Sequence, residues 1–180
     1  MSLVLQSSGG GQITIQEPTT ASNFTATLPA ATGDVMVSGN MPAFSAYADA
    51  TTQTLATATY TKILFQTEEF DTNNNFSSSR FTPTVAGYYQ VSSQLLFPAL
   101  AGFTCLVAIY KNGADFKEGT RTAIAATASG GVYVSALVYC NGSTDYIEIY
   151  GQQTSGTSQN LIGTNNQFLN YFQAVMVRAE

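Results

Sequence analysis

The chain has 180 residues, carries a net charge of −5 and contains no histidine. Only 9% of its residues are charged, against about 25% in an average protein, whereas 44% are hydrophobic and 12% are aromatic. This hydrophobic content is enough for a core, which excludes a disordered chain. The polar residues are mainly uncharged hydroxyls and amides, a composition that favours a surface facing other protein rather than bulk water.

The first 41 residues predict an extended arm, because they contain too few apolar residues to form a core of their own. A short alternating run at 12–16 is followed by a polar segment that prolines and glycines interrupt. The simplest alternative is an unstructured tail. If the arm instead anchors the protein to another one, its candidate contact residues are Ile13, Ile15, Phe24, Leu28, Val35 and Val37.

Residues 42–180 predict an all-β domain, in which short β-branched and aromatic runs are separated by turn residues. The run at 103–110 ends at Asn112-Gly113, a pair that permits the positive φ angles of a tight hairpin turn. The same pattern recurs at 132–140 with Asn141-Gly142, and predicts a second hairpin. Further strands are expected at 62–67, 80–83, 88–97 and 171–177. Regularly spaced short strands are typical of a sandwich or barrel.

The residue types of this sequence argue against an enzyme. Without histidine, the Ser-His-Asp and Cys-His catalytic arrangements are excluded, and a zinc site is not expected. No glycine-rich phosphate-binding loop is present. Cys105 and Cys140 each lie in an apolar run, which predicts two buried thiols; a disulfide is the alternative.

The scattered basic residues argue against direct binding to nucleic acid, which needs clustered Lys and Arg. The apolar runs are short and interrupted, so we expect no membrane insertion. The N-terminus lacks the basic and apolar segments of a secretory signal, and we therefore expect synthesis in a cytoplasm. The basic residues are Lys62, Arg80, Lys111, Lys117, Arg121 and Arg178.

An acidic cluster is formed by Glu68, Glu69 and Asp71. Two carboxylates can hydrolyse a glycosidic bond when they face each other across a cleft. Adjacent residues of a strand point to opposite faces, so Glu68 and Glu69 do not line one cleft. We therefore expect solvated loop charges rather than a catalytic pair.

The spacing of Asp71, Asn73 and Asn75 is that which opens a calcium-binding loop. Such a loop requires glycine at its sixth position and glutamate at its twelfth, where this sequence has Phe76 and Thr82. The helix-loop-helix type of calcium site is therefore not expected.

Several motifs follow one another between residue 42 and the C-terminus. The chain reads Pro-Ala-Phe-Ser-Ala-Tyr at 42–47 and Arg-Phe-Thr-Pro-Thr-Val-Ala-Gly-Tyr-Tyr at 80–89, the most specific stretch. Tyr-Lys-Asn-Gly follows at 110–113, Asp-Tyr-Ile-Glu at 145–148 and an aromatic pair at 171–172. This order resembles the globular head of complement component 1q and its relatives, which include the tumour necrosis factor group.

The resemblance implies a ten-stranded jelly-roll β-sandwich over residues 42–180 and a compact homotrimer. Aromatic residues of the strands then become candidates for packing between subunits, with a sugar-binding platform as the alternative. These candidates are Phe44, Tyr47, Tyr88, Tyr89, Tyr171 and Phe172. Some members of the group bind calcium, which makes Glu69, Asp71 and Asn73 candidates for a cation near the trimer axis.

The arm carries a second resemblance, on Leu-Val-Leu-Gln at 3–6, Gln-Glu-Pro at 16–18 and the segments 23–29 and 33–39. It is similar to the leaders of tailed-bacteriophage particle proteins. The two resemblances together imply a protein of the virion surface, with the arm docking on major capsid or tail proteins and the head projecting. Such a protein is a capsid decoration (cement) protein or a short fibre.

An alternative function is a host-surface adhesin, whose head binds host glycan or protein. A glycan-degrading enzyme is disfavoured, because the chain is small and has no histidine.

Overall fold

A computed structural model describes residues 2–16, 19, 25, 27, 30, 35–49, 52–99, 102–163 and 168–180. The chain divides into two compact units, Met1–Gly33 and Asp34–Glu180. Residues 34–41, which were predicted as part of the arm, fall in the second unit, where Met36 packs against the core. The boundary after residue 41 stays a prediction. In the described part of the chain, no helix is long and apolar enough to span a membrane.

The first unit contains an antiparallel hairpin of β1 (Ser2–Gln6) and β2 (Gln12–Gln16). Its turn is closed by a hydrogen bond from Ser7 N to Gly11 O at 2.8 Å. Gly10 adopts a φ of +88° in this turn, a conformation that favours glycine. The alternating run at 12–16 is therefore one half of a hairpin, whose first strand the sequence analysis had not predicted.

The second unit begins with a 3-10 turn at Ser38–Asn40 and continues with strands β3 to β15. The strands are β3 (Ala43–Tyr47), β4 (Thr54–Leu55), β5 (Thr61–Lys62), β6 (Thr67–Asp71), β7 (Phe76–Ser77), β8 (Arg80–Phe81), β9 (Ala86–Phe97), β10 (Phe103–Lys111), β11 (Ala114–Ile124), β12 (Gly130–Asn141), β13 (Ile147–Gln153), β14 (Gln159–Asn160) and β15 (Tyr171–Ala179).

Eleven of these strands form a sandwich of two antiparallel sheets, while β4 and β14 pair with each other. Sheet one has the order β11-β10-β13-β8-β7, with β5 also paired to β13, and sheet two has the order β12-β9-β15-β3-β6. Strands far apart in sequence are neighbours in sheet two, since β15 lies between β9 and β3. The predicted all-β sandwich is confirmed.

The two Asn-Gly pairs have different structures. At Asn112-Gly113 the φ angles are +55° and +79°, and β10 pairs with β11 through Lys111 and Ala114, so the predicted hairpin is confirmed. The hairpin predicted at Asn141-Gly142 is wrong, because β12 pairs with β9 and β13 pairs with β10. This turn instead carries the chain from sheet two to sheet one.

Phe44 is at the centre of an aromatic cluster between the sheets. Its ring centroid lies 4.8 Å from that of Phe76 and 4.5 Å from that of Phe81, both in sheet one. It also contacts Phe172 of sheet two edge-on, at 4.8 Å. Stacked and edge-on pairs of this kind add to the stabilisation that burial provides. Phe44 therefore joins the two sheets and is 1% exposed.

Replacing Phe44 with alanine should lower the free energy of unfolding by about 3 to 5 kcal/mol, because it leaves a cavity between the sheets. Urea denaturation followed by circular dichroism, at one fixed protein concentration, measures this change. The matched control is Phe116→Ala on β11, where the side chain is 38% exposed; its effect should stay below about 1 kcal/mol. Equal effects of the two variants would contradict the packing described for Phe44.

Candidate interaction surfaces

The outer face of sheet two carries little charge except at its edge strand β6, which contains Glu68, Glu69 and Asp71. Strands β3, β9 and β12 contain no charged residue, and β15 contains Arg178 close to its end. Alternate residues of these strands are buried, and the residues between them point outward. Six apolar side chains on this face are 40% to 53% exposed. They are Phe70, Tyr88, Tyr133, Leu137, Val175 and Val177.

The six residues predicted to pack between subunits fall into two groups. By strand alternation, three point outward from sheet two: Tyr47, Tyr88 and Tyr171. The others are at most 1% exposed in the core of a single subunit: Phe44, Tyr89 and Phe172. Neighbours such as Tyr88 and Tyr89 must point to opposite faces. Packing against another subunit therefore stays a prediction for the outward group. The buried group is too little exposed to contact another subunit.

Two open grooves lie on this outer face. The larger, of about 460 Å³, is lined by Ser45, Glu69, Gln94, Phe168, Tyr171 and Gln173. The smaller, of about 320 Å³, is lined mainly by apolar atoms and includes Phe70 and Val175. Both are shallow depressions that side chains of a neighbouring protein can fill.

The residues predicted as candidates for calcium hold the loop after β6 together. Both carboxylate oxygens of Asp71 accept backbone N–H groups, from Asn73 at 3.2 Å and from Phe76 at 2.7 Å. Glu69 accepts a hydrogen bond from the Ser45 hydroxyl. Among the described residues, no three His, Cys, Asp or Glu side chains lie together as in a metal site. These contacts account for the carboxylates, and calcium binding stays a prediction.

A buried carboxylate in sheet one was missed by the sequence analysis. Glu148 is 3% exposed, and its Oε1 accepts hydrogen bonds from Lys62 Nζ at 2.7 Å and Arg80 Nε at 2.9 Å. Burial alone raises the pKa of this carboxyl, but the two hydrogen bonds outweigh burial and the pKa is lowered. In the sequence, Glu148 lies between two isoleucines of a strand, and this position could have indicated a buried charge. Its partners Lys62 and Arg80 could not be identified, because they lie far away in sequence.

The two cysteines are buried and unbonded, as predicted for thiols, and the disulfide alternative is wrong. Cys105 lies in β10 of sheet one, whereas Cys140 lies in β12 of sheet two. Burial raises the pKa of Cys105 to about 11 and that of Cys140 to about 12. Both thiols are therefore protonated at neutral pH and unreactive.

The hairpin of the first unit has one apolar face. Cross-strand pairing places Leu3 opposite Ile15 and Leu5 opposite Ile13, and all four side chains are 52% to 67% exposed. Ile13 and Ile15 were predicted as anchor residues, whereas Leu3 and Leu5 were missed. Among the other predicted anchors, Val35 and Val37 are exposed. Phe24 and Leu28 lie outside the described residues.

Comparison with protein-family models and with curated proteins gives no match. Solved structures do match. The globular domain of the zebrafish complement 1qA protein superposes with a TM-score of 0.56 at 16% identity, over 77% of this chain and 99% of that one. Murine APRIL superposes with a TM-score of 0.54 at 12% identity, over 76% of this chain and 99% of that one.

A third solved structure of this fold is the PRD1 vertex protein P5. It matches with a TM-score of 0.50 at 15% identity, over 77% of this chain and 96% of that one. At such low identities the comparisons show the fold alone. The sandwich is a jelly roll of the complement 1q and tumour necrosis factor type, as the sequence motifs predicted.

Replacing Glu148 with glutamine should lower the free energy of unfolding at pH 7 by about 1 to 3 kcal/mol, because a buried carboxylate with two cationic partners is lost. The pKa of Glu148 is lower in the folded state than its ordinary value of 4.5. Its contribution is therefore complete above about pH 4.5 and is lost as the pH falls through the folded-state pKa. Urea denaturation at a series of pH values measures this effect. Below about pH 4.5, the free energy of unfolding should fall less steeply with pH in Glu148→Gln than in the wild type.

The control is Glu118→Gln, since the side chain of Glu118 is 41% exposed in its ion pair with Arg121. Exposed pairs contribute less than about 1 kcal/mol. An unchanged acid limb in Glu148→Gln would show that Glu148 does not contribute to the pH dependence.

Proposed function

We propose that this chain is a homotrimeric structural protein of a bacteriophage particle. In this proposal the first unit docks on the capsid or tail, and the jelly roll projects as a capsid decoration (cement) protein or a short fibre. The observation that carries the proposal is the charge-poor, partly apolar outer face that strands β3, β9, β12 and β15 form in sheet two.

This face is suited to contact with copies of itself. A trimer has three equivalent interfaces, and an unpaired charge buried in one of them is buried in all three, which is destabilising. Strands β3, β9 and β12 have no charge that would repel a second copy. Outward tyrosines, such as Tyr88 and Tyr171, are amphipathic side chains of the kind enriched at interfaces. A trimer is also what the resemblance to the complement 1q head implies.

The hairpin of the first unit supports the docking role. An isolated two-stranded hairpin is marginally stable in water and needs packing on one face. Leu3, Leu5, Ile13 and Ile15 supply an apolar face for such packing. No charged residue occurs between residues 2 and 16, so this contact depends on burial of apolar surface. The resemblance of the arm to phage leaders, and a vertex protein among the structures of this fold, support a virion surface as the partner.

A second candidate function is a host-surface adhesin. It is favoured by the exposed charged and aromatic groups on the outer face of sheet one. A trimer presents three copies of that face, and multivalent attachment strengthens weak individual contacts.

Val175→Glu should convert the trimer into monomers, because it would bury an unpaired charge in each of the proposed subunit interfaces. Sedimentation equilibrium at several protein concentrations measures the mass. Thr120→Glu on the exposed strand β11 of sheet one is the matched control and should remain trimeric. A wild-type protein that is monomeric throughout, or a Val175→Glu trimer as stable as wild type, would refute the proposed interface.

Ile13→Asp should strongly reduce incorporation into phage particles, because it places a charge on the apolar face of the hairpin. The control is Thr14→Asp, the next residue, whose side chain points to the opposite face of the hairpin. Quantitative immunoblotting of purified particles measures incorporation, and immunogold labelling distinguishes capsid from tail. Equal incorporation of both variants would exclude this face as the anchor.

A further inference from the structure

Arg80 is held in place from two sides on the outer surface of sheet one. Its Nε donates to Glu148 Oε1 at 2.9 Å, and its guanidinium carbon lies 3.9 Å from the centre of the Tyr146 ring. Among the described residues, neither of its Nη groups has a hydrogen-bond acceptor, and the side chain is 44% exposed. Arg80 therefore presents an oriented pair of N–H donors to solvent, the geometry that binds a carboxylate or phosphate in two-point fashion.

The charges around Arg80 leave a local surplus of one positive charge. Glu148 is a single carboxylate, whereas Lys62 and Arg80 both donate to it. Lys62 is fixed further by a hydrogen bond to Ser78 O at 2.9 Å. Glu148 therefore holds the Arg80 guanidinium in position without fully neutralising its charge, which leaves Arg80 able to bind an anion.

Tyrosines continue from this cation along the same face. The Tyr150 hydroxyl lies 3.5 Å from Glu148 Oε2, and the Tyr150 ring stacks on Tyr110 at 3.9 Å between centroids. Tyr60 extends the row, at 5.8 Å from Tyr110, and its hydroxyl donates to Glu118. All three rings are half-buried. A row of this kind offers apolar ring surface and hydroxyls side by side.

We propose that this surface, formed by Arg80, Tyr146, Tyr150, Tyr110 and Tyr60, binds an acidic saccharide. The carboxylate of a uronic acid residue accepts two hydrogen bonds from the Arg80 Nη groups. Neighbouring sugar rings lie along the tyrosines, whose amphipathic rings match the C–H and O–H groups of a sugar. The inference rests on the adhesin candidate, for which it names the site and the ligand class.

The charge distribution favours a saccharide over nucleic acid. Double-stranded DNA carries one negative charge per about 1.7 Å, and binding requires many cations in a row. This surface has one exposed, unneutralised cation in a chain of net charge −5. It therefore suits a ligand with widely spaced charges, such as one carboxylate per sugar ring. Sheet one is also the sheet that remains free when sheet two is covered by other subunits.

Isothermal titration calorimetry of the full-length protein in low salt tests this site, with tetragalacturonate as acidic probe and maltotetraose as neutral probe. The wild type should bind tetragalacturonate more tightly than maltotetraose, and added salt should weaken the binding. Arg80→Gln should lower the affinity for tetragalacturonate about tenfold or more, the loss expected for hydrogen bonds to a charged group. Arg80→Lys should also bind weakly, because lysine keeps the charge but loses the two-point geometry.

Lys117→Gln is the control, since it removes one positive charge from sheet one at an exposed residue whose ammonium lies over the Phe116 ring; its affinity should change less than about twofold. Thermal melts establish that each variant is folded, and Lys62 keeps Glu148 paired in the Arg80 variants. Equal binding of both probes, no binding of either, or full affinity in Arg80→Gln would overturn the inference. Adhesion of the Arg80→Gln protein to host cells distinguishes the saccharide site from the adhesin function. If this variant still adheres, the site at Arg80 is refuted and the adhesin function is not.

Discussion

The packing of sheet two against sheet one around Phe44 fixes which side chains the jelly roll offers to other molecules. Phe44 contacts Phe76 and Phe81 of the opposite sheet and Phe172 of its own. Because strand residues alternate between faces, burying one set of side chains turns the other set outward as a group. The core therefore determines the outer face of sheet two, including Tyr88 and Val175.

The fold class could be predicted from the sequence because its signals are local. The alternation of apolar and polar residues, the turn residues and the motifs are each evident within a short segment. They were sufficient to predict the hairpin at Asn112-Gly113. Asn141-Gly142 has the same turn chemistry, but whether its flanking strands pair depends on neighbours elsewhere. Strand β12 pairs with β9 instead of β13. A turn motif predicts a reversal of the chain and does not predict which sheet receives the next strand.

The candidate surfaces could be predicted only in part, for the same reason. Half of the predicted packing residues are buried, because adjacent aromatics such as Tyr171 and Phe172 cannot share a face. Glu148 was missed since its charge is balanced by Lys62 and Arg80, which are 86 and 68 positions away. The apolar hairpin face was half predicted, through Ile13 and Ile15, because the pairing with Leu3 and Leu5 is not evident from either strand alone.

The three surfaces differ in chemistry, and this difference limits the partner that each can take. The hairpin face is aliphatic and its strands carry no charge, so its contact depends on burial and is not weakened by electrostatic screening. Strands β3, β9, β12 and β15 of sheet two carry one charge, that of Arg178, and many hydroxyls and amides, which suits an interface between copies of the chain. Sheet one carries Arg80 and Lys62 beside tyrosines, and a charged partner there is bound more weakly as salt rises. The three surfaces share no residue, so in the proposed assembly each partner would be recognised by a different set of side chains.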